Sequence, residues 1–228
     1  MLTWPELADL YAYPALGRPW VRSNFVSSVD GAAQGENGLS GSLGGEADKR
    51  AFTAMRSLCD VVLAGAGTAR AEGYRPISAD SLVPALRSGK PNLPVLALVS
   101  KSLTLPESLL TEGVVVVTTT SASPRRVAEL AESVEVLQHG DADIDWAGVF
   151  AEFCTRGWNN VLVEGGPTLH GELIVQDLID ELCLTIAPTL IAGPQLRIAK
   201  SDRAIWRDLE LGHCVVDDGV LLTRWCRA

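Results

Sequence analysis

The stretch that most constrains the fold runs from residue 160 to residue 173, with the sequence NVLVEGGPTLHGEL. Residues 161–163 are apolar and β-prone, which predicts a short buried strand. Gly165 and Gly166 then break the pattern, and Pro167 suits the first position of a helix because its missing N–H would be unpaired there. The sequence therefore predicts a strand, a glycine turn and a helix start, whose unpaired N–H groups attract phosphates.

Glu164 ends this predicted strand at a position where Val or Leu would serve packing better. The carboxyl end of a strand beside a glycine turn is where open α/β sheets place ligand-binding groups. A tight turn without a ligand is the alternative, and the glycine spacing is not the G-x-G-x-x-G dinucleotide fingerprint. We assign Glu164 to a substrate and the N–H groups after Gly165 to a cofactor, because a carboxylate repels cofactor phosphates.

Short apolar runs alternate with helical patterns along the rest of the chain. Strands are predicted at 20–26, 61–64, 95–99, 114–117, 134–137, 161–163 and 182–187, and helices within 1–19 and at 46–58, 69–72, 124–131 and 145–156. Residues 34–45 predict a mobile loop and residues 75–93 a surface loop. A hairpin is expected over 212–226. The alternation predicts one α/β domain over residues 1–228, with a mostly parallel mixed sheet flanked by helices and a C-terminal antiparallel hairpin.

Composition excludes several classes of function. The formal net charge of −9 argues against nucleic-acid binding, which needs a basic surface. No apolar run is long enough to span a membrane, and the N-terminus lacks a signal-peptide pattern. The five cysteines are widely spaced, which favours free thiols in the cytoplasm over disulfides. Neither they nor the histidines show metal-ligand spacing, so we expect no metal.

Polar residues follow several of the predicted strands. The strand ends carry Asp30, Thr68, Ser100, Thr118 and Glu164. In a parallel sheet these ends lie along one edge and can line one cleft, although each alone could simply begin a loop. Residues 65–68 form a second glycine turn before a helix, and two such turns suit a ligand with more than one phosphate.

Three cations are candidates for anion binding. Ser100 and Lys101 could clamp an extra ribose phosphate, and a solvated loop is the alternative. Arg56 and Arg75 could each hold a substrate phosphate through a bidentate fork, or could be surface arginines. The sequence has no nucleophile elbow, Walker loop or zinc signature, which favours chemistry supplied by a cofactor.

Three blocks of sequence carry a resemblance to a known family. They are NFVSSVDG at 24–31, VLAGAGTARAE at 62–72 and the block at 161–173. In this order they resemble the reductase domain of bacterial riboflavin biosynthesis proteins, a family with the dihydrofolate-reductase-like fold. The resemblance spans roughly residues 18 to 226. The deaminase signature that often accompanies this domain is absent from the sequence, so the resemblance implies a stand-alone reductase.

The resemblance implies an activity and a set of site residues. The family reduces 5-amino-6-(5-phosphoribosylamino)uracil to its ribityl product with NADPH, and the resemblance suggests a homodimer. Implied NADPH contacts are Val26, Ser42, Thr68, Glu72 and the turn at 165–172, including Gly165, Gly166, Pro167, Thr168 and Leu169. Implied substrate contacts are Ser40, Arg56, Arg75 and Glu164.

The reaction also needs a proton. Asp30 is a candidate proton donor or substrate-orienting residue, and a plain turn residue is the alternative. Reduction of dihydrofolate or another pterin on the same scaffold stays open, as does a non-catalytic nucleotide-binding module. We expect Glu164→Gln to lower kcat/KM strongly while leaving NADPH binding and the melting temperature close to wild type.

Overall fold

Nine strands form one sheet in the computed structural model, which describes residues 1–90 and 93–228. The strands are β1 (Trp20–Ser28), β2 (Val61–Gly65), β3 (Val95–Val99), β4 (Val114–Thr118), β5 (Glu135–Gln138), β6 (Asn160–Gly165), β7 (Glu181–Ala187), β8 (Leu209–Asp217) and β9 (Val220–Arg227). The helices are α1 (Trp4–Leu10), α2 (Gly45–Leu58), α3 (Ala66–Ala71), α4 (Pro124–Ala131), α5 (Trp146–Thr155) and α6 (Pro167–Val175).

The strand order is β5-β4-β3-β2-β6-β1-β7-β9-β8. Strands β1 to β7 pair in parallel, and β9 joins β7 and β8 by antiparallel pairing. The predicted mixed sheet, mostly parallel with a C-terminal antiparallel hairpin, is therefore confirmed. Because seven strands share one direction, their carboxyl ends lie along one edge of the sheet.

Strands β2 and β3 and residues 161–163 of β6 are apolar, as expected where helices cover both faces of the sheet. Residues 61–64, 96–98 and 161–163 are fully buried, without the alternation of a half-exposed strand. One core layer contains side chains from α1, α2, α3 and α4. The other contains α5 and α6, where Trp146 and Phe153 are fully buried. The aromatic stripe of α5 is thus core packing, as expected from its spacing.

Helix α2 presents two different faces. Its small side chains, Ala47, Ala51 and Ala54, are buried against the sheet together with Met55. Small residues on this face let the helix axis lie close to the strands, and the opposite face is left to line a cleft. The helix begins at Gly45, one residue before the predicted start.

Several element boundaries differ from the predictions. Strand β1 continues to Ser28, because residues 27–28 pair in register with residues 186–187 of β7. Strand β8 begins at Leu209 rather than near residue 212. The β8–β9 turn at Asp218 and Gly219 has φ values of 47° and 81°, as a type I′ hairpin turn requires.

The two predicted loops contain some regular structure. A short 3₁₀ helix at Ser40–Ser42 lies within the glycine-rich loop. Two more, Ala79–Ser81 and Pro84–Arg87, lie within the predicted surface loop at 75–93, of which residues 91–92 are outside the described part of the chain. Across residues 1–90 and 93–228, no helix is long and apolar enough to cross a membrane.

Candidate active site

The carboxyl ends of β1, β2 and β6 open into a cleft of about 570 Å³. Helix α2 forms one wall, and the two glycine turns form the floor. The residues that line the cleft include Asn24, Val26, Asp48, Arg56, Tyr74 and Glu164. A cavity of this size at the carboxyl edge of a parallel sheet is where α/β proteins bind small molecules.

The two glycine turns contact each other because β2 and β6 are neighbours in the sheet. A Cβ atom on Gly65 would lie 3.4 Å from the backbone nitrogen of Gly166, and one on Gly166 would lie 2.3 Å from Oγ1 of Thr68. Gly165 has a φ of 98°, which favours glycine. The peptide bond between Gly165 and Gly166 is cis. A side chain at Gly166 would therefore displace the Thr68 hydroxyl group, whereas the space at Gly65 is only close-fitting.

Helix α6 starts at the cleft with an uncapped N-terminus. Its N-cap residue is Gly166, which offers no side-chain acceptor, and Pro167 occupies the first helical position. The N–H groups of the first turn have no partner within a helix. Gly166 and Pro167 both line the cleft. Free N–H groups and the positive end of the helix dipole thus face the place where an anionic ligand would bind.

Glu164 is the centre of a buried polar cluster in the cleft wall. Arg56 Nε donates to Glu164 Oε1 at 2.7 Å, and Arg56 Nη2 donates to Oε2 at 2.6 Å. Tyr74 Oη donates to the same Oε2 at 2.7 Å. The Arg56 guanidinium also stacks 4.3 Å from the ring centre of Phe52. The side chains of Arg56 and Glu164 are 15% and 2% exposed, so this pair is largely shielded from water.

The cluster has a defined charge state. Burial disfavours the charge on Arg56, but the Glu164 carboxylate outweighs burial and raises the pKa of the guanidinium. Burial and the neighbouring Glu164 raise the pKa of Tyr74 well above its usual range. The cleft wall therefore holds an arginine cation and a neutral phenol that acts as donor, and both face the carboxyl group of Glu164.

The structure brings most of the predicted site residues to this cleft. Those that line it are Val26, Ser40, Arg56, Thr68, Glu72, Arg75, Glu164, Gly166 and Pro167. The backbone N–H of Ser40 donates to Glu72 Oε1 at 3.0 Å, which ties the glycine-rich loop to the end of α3. Gly165, Thr168 and Leu169 flank the lining residues in the same turn.

Ser42, Ser100 and Lys101 are also predicted cofactor contacts that lie outside the lining of the cleft. Ser42 is exposed, and its hydroxyl group lies 3.4 Å from both Asn37 Oδ1 and the Leu39 carbonyl. Ser100 and Lys101 follow β3, one strand beyond β2 along the carboxyl edge of the sheet. The Lys101 ammonium group pairs with Asp143. A ligand that reached them would have to extend from the cleft across the end of β2.

Asp30 is not among the residues that line the cleft, and its predicted role as proton donor stays a prediction. Its carboxylate accepts from the Ser28 hydroxyl group and from the N–H groups of Ile191 and Ala192. The Ser28 bond and these N–H groups lower the pKa of Asp30 to about 2. A carboxylate held ionised in this way fastens a loop, which is the role of the turn residue considered as the alternative.

Asp48, Lys49, Phe52 and Tyr74 are among the cleft residues that were not predicted from the sequence. Asp48, Lys49 and Phe52 lie on the face of α2 that carries Arg56, at spacings of three and four residues that would have identified this second face. Tyr74 lies in an irregular segment and had no such signal. Within the described residues no group of three or more His, Cys, Asp or Glu side chains could hold a metal ion, and the metal-free site stays a prediction.

The fold and the cleft together define an α/β protein of the dihydrofolate-reductase-like class. The sequence model of the RibD C-terminal domain family matches residues 19–222 of this chain. The chain therefore belongs to the RibD C-terminal domain family, as its three sequence blocks suggested.

Three comparisons illustrate this placement. The 2,5-diamino-6-ribosylamino-4(3H)-pyrimidinone 5′-phosphate reductase of Methanothermobacter thermautotrophicus is 29% identical over 184 residues, covering 79% of this chain and 82% of the relative. A pyrimidine reductase-like protein from Corynebacterium diphtheriae superposes with a TM-score of 0.86 at 25% identity, covering 100% and 99% of the two chains. Dihydrofolate reductase from Enterococcus faecalis shares the fold at a TM-score of 0.50 and 16% identity, over 91% and 96% of the two chains.

Proposed function

We propose that this protein is an NADPH-dependent reductase of 5-amino-6-(5-phosphoribosylamino)uracil, forming the ribityl product in riboflavin biosynthesis. The observation that carries the proposal is the polar cluster of Arg56, Tyr74 and Glu164, which lies in the same cleft as the two glycine turns. Such a cleft can hold a polar substrate and an anionic cofactor side by side. Family membership and the reductase relatives support the same activity.

The residues at the carboxyl edge fit a dinucleotide cofactor. The missing side chain of Gly166 makes room for the Thr68 hydroxyl group, and the uncapped start of α6 offers N–H groups to a pyrophosphate. When bound, NADPH would supply the hydride. Val26 and Thr68 would contact it within the cleft, and Ser100 and Lys101 would hold its 2′-phosphate at the end of β3. Ser42 and Glu72 are the remaining proposed NADPH contacts.

The substrate would occupy the side of the cleft formed by α2. Glu164 can accept hydrogen bonds from ring N–H groups or sugar hydroxyl groups through its remaining lone pairs. Arg56 donates Nε and Nη2 to Glu164, and its Nη1 has no hydrogen bond among the described residues. Arg56 therefore keeps three of its five N–H groups, on Nη1 and Nη2, so the bidentate fork expected from the sequence is still open to a phosphate. Ser40 and Arg75 are the other proposed substrate contacts.

One assay distinguishes the proposed reductase from a pterin reductase and from a non-catalytic nucleotide-binding module. The purified protein is given NADPH with 5-amino-6-(5-phosphoribosylamino)uracil, with the diaminopyrimidinone phosphate that the archaeal relative is named for, with dihydrofolate, or with no acceptor. We expect oxidation of NADPH with the uracil and slower or no oxidation in the other arms. Fastest turnover of dihydrofolate would indicate a pterin reductase, and NADPH binding without turnover in any arm would indicate a nucleotide-binding module.

We also infer that two copies associate. Leu190, Trp206 and Val216 are 76%, 84% and 72% exposed, and the last lies on the edge strand β8. Exposed apolar residues of this size are typical of association surfaces. Sedimentation should give a mass near twice 24.3 kDa, and a monomeric mass at micromolar concentration would contradict the inference. All five cysteines are free, which supports our further inference of a cytoplasmic enzyme.

A further inference from the structure

Asp48 is a carboxyl group in the cleft for which neither the sequence nor the family resemblance provides a role. It lies in α2, four residues before Phe52 and eight before Arg56, so the three side chains share one face of the helix. All three line the cleft. Asp48 is partly buried and lies beside the end of the cleft formed by β1.

The surroundings of Asp48 are shaped to hold a carboxyl group. A Cβ atom on Gly44 would lie 2.1 Å from Asp48 Oδ2, so the absence of that side chain makes room for the carboxyl. Thr185 in β7 lies close enough to Asp48 to lower the pKa of its carboxyl group. Thr185 pairs in register with Val26, the proposed cofactor contact in β1. Asp48 therefore lies next to the part of the cleft where the reacting atoms would meet.

The charge environment of Asp48 is opposite to that of Glu164. Glu164 is paired with Arg56 through two hydrogen bonds, whereas Asp48 makes no salt bridge among the described residues. Lys49 on the same helix and Tyr11 at the end of α1 are the titratable groups that face Asp48. Burial raises the pKa of Asp48 more than the Thr185 hydroxyl and the Lys49 charge lower it. Two carboxyl groups in one cleft, one paired with an arginine and one without a cation partner among the described residues, are the kind of arrangement that separates catalytic roles.

We propose that Asp48 is the general acid of this reduction, delivering a proton to the sugar ring oxygen of the substrate. The proposal rests on the proposed function. The lone pair of the glycosidic nitrogen forms a C1′=N bond while the C1′–O bond breaks, and the ring oxygen takes the proton from Asp48. A hydride from reduced nicotinamide then adds to C1′, and the C=N electron pair returns to nitrogen. Asp48 regains its proton from solvent.

The test compares Asp48→Asn and Asp48→Glu with a matched surface control, Asp9→Asn, since Asp9 is exposed on α1. General acid catalysis typically contributes 10²- to 10⁴-fold. We expect Asp48→Asn to lower kcat by about that factor, with the dissociation constant for NADPH unchanged and partial recovery in Asp48→Glu. The wild-type rate should fall as the pH rises through the raised pKa of Asp48, and the residual rate of Asp48→Asn should not show this fall.

Two readouts do not depend on turnover. Carbon-13 NMR of the aspartate carboxyl groups in the ligand-free protein should show a resonance that titrates above the ordinary aspartate range and disappears in Asp48→Asn. Once the pH exceeds this pKa, the folded protein must hold an ionised carboxylate without a cation partner, which destabilises the folded state. Asp48→Asn removes this charge, so the variant should melt at a higher temperature than wild type at pH 8. The difference should vanish at a pH below the ordinary aspartate pKa, where both states carry the proton.

Failure of this proposal and failure of the proposed function give different results. An active wild-type enzyme whose Asp48→Asn variant keeps its kcat and pH profile would overturn the role of Asp48. A carboxyl group that titrates in the ordinary aspartate range would also overturn it. A wild-type protein that reduces neither pyrimidine substrate would overturn the proposed function, and with it the reaction in which Asp48 is placed.

Discussion

Replacing Glu164 by Gln tests whether the buried cluster in the cleft wall holds the fold as well as the substrate. Glutamine keeps the shape of the side chain but removes its charge and turns one acceptor into a donor. If the amide oxygen takes the Oε2 position, it still accepts from Arg56 Nη2 and Tyr74 Oη. The amide nitrogen then faces Arg56 Nε, which is itself a donor. The variant loses one charge-assisted bond and leaves a buried cation without its counter-ion.

The expected destabilisation follows from the burial of the pair. Removing one partner of a buried ion pair costs about 3–5 kcal/mol. Because the Arg56 side chain is 15% exposed, water can solvate part of the orphaned charge, and we expect the lower end of this range. A loss of about 3 kcal/mol lowers the melting temperature of a chain of this length by about 6–12 °C. This reverses the expectation from sequence that the variant would melt close to wild type.

The assay is thermal and urea unfolding of Glu164→Gln beside a matched control, Glu129→Gln. Glu129 forms an exposed i,i+4 pair with Arg125, in which the side chains are 43% and 90% exposed. Exposed pairs of this kind contribute about 0.5 kcal/mol or less. Glu164→Gln should therefore shift the unfolding midpoint far more than Glu129→Gln. In a double-mutant cycle with Arg56→Met, the two changes should cost less together than the sum of the single changes.

Three results would each contradict part of this reasoning. Equal, small shifts for Glu164→Gln and Glu129→Gln would mean that the Arg56–Glu164 pair contributes nothing to stability. Strictly additive losses in the cycle would mean that the two side chains do not interact in solution. A destabilised variant with unchanged kcat/KM would leave the cluster a structural feature and remove Glu164 from the proposed substrate site.

Three further predictions concern the cofactor and the loops. Lys101→Ala should weaken NADPH binding about tenfold and leave NADH nearly unchanged; equal losses would remove Lys101 from the 2′-phosphate. Gly166→Val should weaken NADPH binding in a fluorescence titration, because its Cβ atom would lie 2.3 Å from Thr68 Oγ1; unaltered binding would contradict the glycine-turn assignment. In the folded protein the pKa of Asp30 is lowered to about 2. The ionised carboxylate therefore stabilises the folded state at any pH above the pKa of aspartate in the unfolded chain, and this stabilisation is lost as the pH falls through 2. Asp30→Asn should therefore lower the melting temperature at pH 6, with a difference that shrinks towards pH 2; a difference independent of pH would refute the linkage.

The strand and glycine-turn pattern was enough to predict the fold and the place of the cleft. Residues 161–166 show why, because a buried run, a carboxylate and two glycines each have a local physical reason. Glu164 was identified for the same reason, since an acid at the end of a fully buried strand is costly unless it has a partner. The identity of that partner was not predictable. Arg56 and Tyr74 are 108 and 90 residues away along the chain.

Long-range contacts also explain why the hydrogen bonds of Asp30 could not be predicted from the sequence. Its place after β1 fits the rule that strand ends bear ligand-binding residues. The N–H groups that hold its carboxylate belong to residues 191–192, about 160 positions later and in a segment without strand or helix pattern. Asp48 was overlooked because α2 was assessed only by its buried face. The second row of side chains on α2 faces the cleft. Its role can be recognised only when the structure shows which side of the helix is open.

The most direct test of the account follows the hydride into the product. The enzyme is incubated with NADPH carrying deuterium at both C4 positions of the nicotinamide and with the phosphoribosylaminouracil, and the product is analysed by mass spectrometry and NMR. The account predicts a ribityl product with one deuterium at C1′. A reduced product without deuterium at C1′, or a substrate left unreduced while NADPH is oxidised, would contradict it.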